Sequence, residues 1–160
     1  MDGPCRLRPA SVADLPALAE LERASFSDPW TPAQLREALS WGGALALVAE
    51  GAGGGVQGYL LGRVVVDEAE ILSIATAPAH RREGIGRRLL RAAMDTMVAK
   101  GAHAAWLEVR VGNQAAREMY HREGFVAAGL RKGYYRNPEE DALVLRRDLT
   151  GPAVPGTEAS

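Results

Sequence analysis

Apolar and polar positions change period repeatedly along the chain, and each change marks an element. Cys5 to Arg8 is a short strand closed by Pro9. Leu15, Leu18, Ala19 and Phe26 then recur at helical spacing and give a first helix its buried side. Ser11 or Asp14 caps it. Ser11-x-x-Asp14 has the form of a capping box, but Pro16 is best tolerated in the first turn, which favours Asp14. Asp28-Pro29-Trp30 breaks the helix, and Thr31 caps a second one with Pro32 at its favoured first position. Leu35 and Leu39 face inward there, and Gly42-Gly43 stops it.

Strand patterns follow. Leu45 to Ala49 and Val56 to Val66 flank a glycine-rich turn and read as a hairpin, and Asp67-Glu68 bends the chain into a third strand over 69–76. Ile85, Leu89, Leu90, Ala93, Met94 and Met97 form one face of a long helix from about residue 84 to Lys100. Ala104 to Arg110 is a strand. Asn113 caps a helix carrying Ala116, Met119 and Tyr120 that ends at Gly124. Phe125 to Tyr135 is a strand with a bend near Gly129, and Asp141 to Leu149 is the last. This order predicts an α/β fold. Its sheet is mixed and mainly antiparallel, with a central parallel strand–helix–strand unit over 69–110 and about four helices. Residues 1–150 form one domain, and 151–160, rich in Pro and Gly, are expected to be a disordered tail.

Composition narrows the function classes. The 160 residues carry a formal net charge of −1, so no global field favours nucleic acid or a membrane surface. A single cysteine, Cys5, excludes a disulfide framework and a cysteine metal site, and His80, His103 and His121 lack metal-ligand spacing. No metal is expected. No apolar leader or long apolar span is visible, which points to the cytoplasm.

The one concentrated basic site is Arg81-Arg82-Glu83-Gly84-Ile85-Gly86-Arg87, between the apolar run Ile71-Leu72-Ser73-Ile74-Ala75 and the long helix. Helix N-termini carry unpaired N–H groups and partial positive charge, and Gly84 and Gly86 let a ligand approach the backbone. A phosphate cradle and a solvated basic helix start both fit. Of the phosphate motifs, a P-loop lacks its Lys, and a dinucleotide fingerprint would need Gly where Leu89 stands. The pattern Arg/Gln-x-x-Gly-x-Gly/Ala is met by Arg81, Gly84 and Gly86, and it resembles the pyrophosphate motif of the GCN5-related N-acetyltransferases.

Two further residues carry candidate chemistry. Glu108 shares one strand face with Trp106 and Arg110. A glutamate in an apolar strand is either ion-paired, with Arg110 or a neighbouring strand, or a general base for an amine. Tyr120, about two turns into its helix, is either a core tyrosine or a general acid for a departing thiolate.

Trp106-Leu107-Glu108-Val109-Arg110, Asn113, Tyr120 and Gly124-Phe125 resemble the bacterial ribosomal-protein alanine N-acetyltransferases, the RimI type. Asp28-Pro29-Trp30, Gly133-Tyr134-Tyr135 and Asp141-Ala142 match the same subgroup. The resemblance covers roughly residues 6–149. It implies acetyl-CoA as co-substrate, Glu108 as base and Tyr120 as acid. It also implies backbone pairing of the pantetheine arm at Ile74, Ala75 and Thr76, pyrophosphate binding by Arg82, Glu83, Gly84, Ile85, Gly86 and Arg87, and a cofactor contact at Asn113. The implied acceptor is a protein N-terminus, the alanine of the eighteenth small-subunit ribosomal protein. Trp30, Tyr134 and Tyr135 then either line its groove or serve as core and rim packing. Transfer is expected to be direct, within a ternary complex. Broader protein or small-molecule amine acetylation is one alternative, and a regulatory domain that binds acetyl-CoA without using it is another. Nucleic-acid binding has only the arginines of 81–91 in its favour.

Overall fold

A computed structural model describes residues 5–150. The expected tail at 151–160 lies outside them. Seven strands form one sheet: β1 (Arg6–Pro9), β2 (Ala44–Glu50), β3 (Val56–Val65), β4 (Glu68–Thr76), β5 (Ala104–Arg110), β6 (Val126–Tyr135) and β7 (Glu140–Asp148). The four α-helices are α1 (Leu15–Ser25), α2 (Pro32–Leu39), α3 (Ile85–Ala99) and α4 (Gln114–Arg122). The sheet order is β1-β2-β3-β4-β5-β7-β6, and only β4 and β5 run parallel. Among the described residues no helix is long and apolar enough to cross a membrane.

Two apolar layers hold the helices to the sheet. Ile85, Leu89, Leu90 and Met97 of α3 pack with Leu107, Val109, Tyr120, Phe125 and Leu145 on one face. Leu15, Leu18, Leu21 and Leu35 pack with Val48, Tyr59 and Leu61 on the other. Thr31 caps α2 as its spacing predicts, accepting from the Gln34 N–H at 3.1 Å.

Of two expectations for α1, that for Asp14 holds in position but not in bonding, and that for Phe26 fails. Asp14 precedes the helix, but its carboxylate does not cap it: Arg8 donates to both oxygens at 2.9 and 3.0 Å, and the Ser11 N–H adds a third bond at 2.8 Å. Phe26 is not on the buried side. The helix stops at Ser25, Phe26 turns extended (φ −131°, ψ 142°), and its side chain is exposed. The buried position one turn earlier is Glu22.

The site is prepared by a defect in the central pairing. Leu61 faces Ser73 and Gly62 faces Ile71, so Leu72 is an extra residue in β4, a β-bulge. The parallel ladder consists of Glu68, Ala69 and Glu70 opposite Ala104, Ala105 and Trp106, and it ends at the bulge. Beyond that point β4 stays with β3, while Leu107 to Arg110 of β5 stay with β7. The sheet therefore opens into a cleft between Ile71–Thr76 and Leu107–Arg110.

Candidate active site

The β4 lip of the cleft is main chain. Ala77 donates its N–H to Gln57 O at 2.8 Å, so by alternation Ala75 also turns its backbone toward β3. Ile74 and Thr76 turn theirs into the cleft. Of the three backbone positions expected to face a ligand arm, Ala75 is therefore committed to the β3 ladder. Thr76 O is already taken by Arg81 Nε at 3.2 Å, and the same guanidinium reaches Ser25 Oγ at 3.2 Å. Arg81 thus fastens the end of β4 to the end of α1 and does not point its charge into the loop.

The loop delivers the chain to α3 through two left-handed residues, Arg82 (φ 68°) and Gly84 (φ 81°). No side chain caps the helix. The first helical bond runs from Arg88 N to Gly84 O at 3.1 Å, which leaves the N–H groups of Ile85, Gly86 and Arg87 without helical acceptors. The two glycines serve different ends. Gly84 stands in open space, and its left-handed φ is what a larger residue would resist. Gly86 lies close to α4: a Cβ there would stand 3.3 Å from Met119 Sδ, a contact that Met119 would have to ease by a few tenths of an ångström. Glu83 pairs with His80 at 3.2 Å, and Ile85 is buried. Arg87 lies 3.4 Å from Glu123, whose carboxylate also holds Arg91 at 2.8 Å. Three orphan N–H groups at the head of an open strand edge suit a pyrophosphate followed by an amide-bearing arm.

The β5 lip is side chain. Glu108 points from β5 to Arg131 on β6, with which it forms an ion pair. Arg131 also lies 4.8 Å from the centre of the Tyr134 ring. Arg110, on the same strand face, goes elsewhere. It donates to Pro138 O, Arg136 O and Ser27 Oγ, pairs with Glu140 at 3.1 Å and covers the Tyr135 ring at 4.5 Å. It thereby ties the β6–β7 turn to the loop after α1. Tyr134 and Tyr135 meet edge to face at 5.1 Å. Burial first, and then the Glu108 charge, pushes the Tyr135 phenol up to about 12.

Tyr120 is buried on α4 against Phe125, with ring centres 5.8 Å apart. Burial, and secondarily Tyr135, pushes its phenol well above the usual tyrosine value. Its hydroxyl has no hydrogen-bond partner among the described residues and is not one of their fully enclosed unpaired atoms. The Tyr120 phenol therefore stays protonated across the physiological range. Asn113 caps α4, its Oδ1 accepting from Ala116 N at 3.2 Å. Trp30, half-buried, meets Trp41 edge to face at 6.3 Å. A cavity of about 390 Å³ is bounded by Asp28, Pro29, Trp30, Gln34, Glu37 and Trp41.

Glu108, Tyr134 and Tyr135 thus share one neighbourhood, with Tyr120 beside Tyr135. The loop from Arg81 to Arg87 lies at the mouth of the same cleft. Two residues that position this arrangement were not singled out from sequence, Glu22 and Arg131, and Arg110, weighed there as a partner for Glu108, pairs with Glu140 instead. The available signal for the first was a charge at i+7 from Leu15, on an otherwise apolar helix stripe.

A split sheet with an uncapped, glycine-led helix at its mouth defines a group-transfer fold built to hold a phosphorylated carrier. The chain belongs to the acetyltransferase (GNAT) family, whose sequence model matches residues 15–125. Among relatives, N-alpha-acetyltransferase RimI of Mycobacterium tuberculosis is 40% identical over 147 residues, covering 88% of this chain and 90% of that protein. The ribosomal protein bS18-alanine N-acetyltransferase of Escherichia coli K12 is 33% identical over 136 residues, covering 84% of this chain and 90% of that protein. The crystal structure of the ribosomal-protein-S18-alanine N-acetyltransferase from Escherichia coli superposes with a TM-score of 0.84 at 29% identity, covering 93% of this chain and 97% of that one. Enzymes of this family use acetyl-CoA.

Proposed function

We propose that the protein moves an acetyl group from acetyl-CoA to the N-terminal α-amine of a protein, and that its acceptor is the N-terminal alanine of a small-subunit ribosomal protein. The observation that carries the reading is the cleft itself. An open backbone edge at Ile74 and the Thr76 N–H ends at three orphan helix N–H groups, opposite Glu108 and beside Tyr120. The names borne by the relatives above supply the acceptor class.

Acetyl-CoA supplies the acetyl group as a reactive thioester, and the chain's residues do the rest. Ile85, Gly86 and Arg87 N–H groups hold the pyrophosphate, with Arg82 and Arg87 adding charge. The edge at Ile74 and Thr76 aligns the pantetheine amides as an added strand would. The acceptor α-amine, whose ammonium form has a pKa of about 8, attacks the thioester carbonyl only when neutral, forming the C–N bond as the C–S bond breaks. Glu108 takes its proton, directly or through water. Tyr120, kept protonated by its burial, gives a proton to the leaving sulfur. Trp30, Tyr134 and Tyr135 flank the acceptor chain. Holding both substrates side by side contributes the positional part of the acceleration.

The Glu108–Arg131 ion pair favours a second reading, a domain that binds acetyl-CoA without catalysis. An acceptor ammonium must displace Arg131 from Glu108 or share that carboxylate with it. A competition assay read by mass spectrometry tests both. Purified protein and acetyl-CoA meet peptides with free N-terminal Ala-Arg, other free N-termini, and blocked N-termini with internal lysines. Selective acetylation of the Ala-Arg α-amine is the expected outcome. Broad α-amine or lysine acetylation keeps the enzyme and drops the narrow acceptor. Binding of acetyl-CoA with no acetylation of any peptide favours the second reading or a small-molecule acceptor.

A further inference from the structure

Glu22 is fully buried, and among the described residues no Lys, Arg or His pairs with it. It also sits in the last turn of α1, where the helix dipole disfavours a negative charge. Burial, the missing cation and the helix end all weigh against a carboxylate here. A leucine would suit the surrounding layer of Leu18, Leu21, Leu35 and Leu61 better.

What the carboxylate does have is three donors from three different elements. Oε1 accepts from the Trp30 N–H at 2.9 Å. Oε2 accepts from the hydroxyls of Tyr59 on β3 and Ser73 on β4. Ser73 is the residue next to the bulge at Leu72, where β4 leaves β5. One side chain therefore joins the loop between α1 and α2 to the strand segment that opens the cleft.

Resting on the function proposed above, we infer that Glu22 is a positioning residue for the acceptor: it fixes the distance between the Trp30 wall and the free edge of β4. The N-terminal residue of the acceptor has to fit between these two surfaces. The carrier's phosphate cradle, on α3, makes no hydrogen bond to Glu22, and the backbone of β4 at Ile74 and Thr76 is held by its own ladder to β3.

The chemistry of the hydroxyls provides a sharp control. Both Tyr59 and Ser73 can turn from donor to acceptor. In Glu22→Gln the amide oxygen keeps the Trp30 N–H and the amide nitrogen donates to the two hydroxyls, so the geometry survives without the charge. Glu22→Leu fills the space and removes every bond.

The experiment measures acceptor KM, kcat and the Kd of acetyl-CoA for the wild type, both variants and Tyr59→Phe, with an Ala-Arg peptide and melting temperatures in parallel. The expected result for Glu22→Leu is an acceptor KM raised by about 10-fold or more, since small misplacements cost heavily in a two-substrate site. The Kd of acetyl-CoA stays within about 2-fold, and Glu22→Gln restores KM to within about 3-fold of wild type. Tyr59→Phe, which keeps the Trp30 bond, raises KM less than Glu22→Leu does. A folded Glu22→Leu protein with wild-type KM overturns the inference, as does a parallel loss of acetyl-CoA affinity. If Glu22→Leu does not fold, an unchanged KM in Tyr59→Phe overturns it and a raised KM with unchanged acetyl-CoA affinity supports it. Wild-type silence on every α-amine peptide removes the proposed function itself, and is distinguishable because no variant is then needed to see it.

Discussion

Along β4 and the start of α3 the cleft is lined by main chain, whereas along β5, β6 and α4 it is lined by side chains. The first lip consists of the Ile74 and Thr76 edge and the N–H groups of Ile85, Gly86 and Arg87, and all of it lies within fourteen consecutive residues, 74–87. The second draws Glu108 from β5, Tyr120 from α4, and Arg131, Tyr134 and Tyr135 from β6. A backbone lip recognises what every carrier molecule shares, phosphate and amide, and tolerates side-chain change. A side-chain lip, where the proposed proton transfers take place, is sensitive to single atoms. Substitutions on the two lips are therefore expected to divide cleanly between affinity for the carrier and rate.

Glu108→Gln is expected to have the largest effect. Loss of a general base costs roughly 10²–10⁴-fold in turnover. The Kd of acetyl-CoA, measured by calorimetry on the same protein, is expected to stay within about 2-fold because that lip is untouched. Turnover within a few-fold of wild type would remove Glu108 from the chemistry and leave its ion pair with Arg131 as its role.

Tyr120→Phe comes next. The phenol is held protonated by burial, so its hydroxyl acts as a donor and its loss is expected to lower kcat by about 10²-fold with little change in either substrate's affinity. Because the Tyr120 phenol lies well above its usual value, it contributes no limb to the pH profile below about pH 10. A rate that falls as pH rises through neutrality and is cured by Tyr120→Phe would contradict this.

The two lips also differ in how readable they are from the sequence. The α3 loop is local, so Gly84, Gly86 and the apolar run before them place it without knowledge of any distant residue. The expected alternation of Trp106, Glu108 and Arg110 on one face is likewise a property of a single strand. What could not be read is what each of these side chains meets. Glu108 and Arg131 are 23 positions apart and reach each other across β7, which lies between their strands. The length of the parallel ladder depends on one extra residue, Leu72, whose bulge is set by register against β3. On α1 the helical period marked the stripe correctly, but the helix ended one residue before Phe26, and Glu22 took a buried place that propensity assigns to an apolar residue. Asp14 was expected to cap because of its type and position, yet Arg8, arriving from β1, offers it a charged partner that a helix N–H cannot match.

On the backbone lip, Gly84→Ala is expected to act more gently. A non-glycine residue at φ 81° costs about 1–2 kcal/mol, which corresponds to a loss of carrier affinity of about 5–30-fold if the loop relaxes out of its bound form. Turnover at saturating acetyl-CoA is expected to change by less than about 2-fold, since nothing on the second lip moves. A fall in kcat with unchanged Kd would break the division between the lips.

Behind the cleft the two lips are joined, and here the smallest effect is expected. Glu123, at the end of α4, is 6% exposed and accepts two hydrogen bonds from Arg91 of α3, with Arg87 at 3.4 Å. The Arg91 guanidinium, reinforced by Arg87, holds the Glu123 carboxyl below the usual carboxylate range. A carboxylate with a depressed folded pKa stabilises the protein above its unfolded pKa of about 4.3, and that contribution is lost as pH falls through the folded value. Both arginines are about half exposed, so screening reduces the pair, and Glu123→Gln is expected to cost only about 1 kcal/mol at pH 7. In a chain of this size that lowers Tm by about 2–4 °C. Urea titrations of wild type and variant are expected to differ fully at pH 7 and to converge progressively below about pH 4.3, as the wild type loses what the variant never had. A difference that persists undiminished in acid would mean that Glu123 joins α3 to α4 by packing, and that the charge on the backbone lip is set without it.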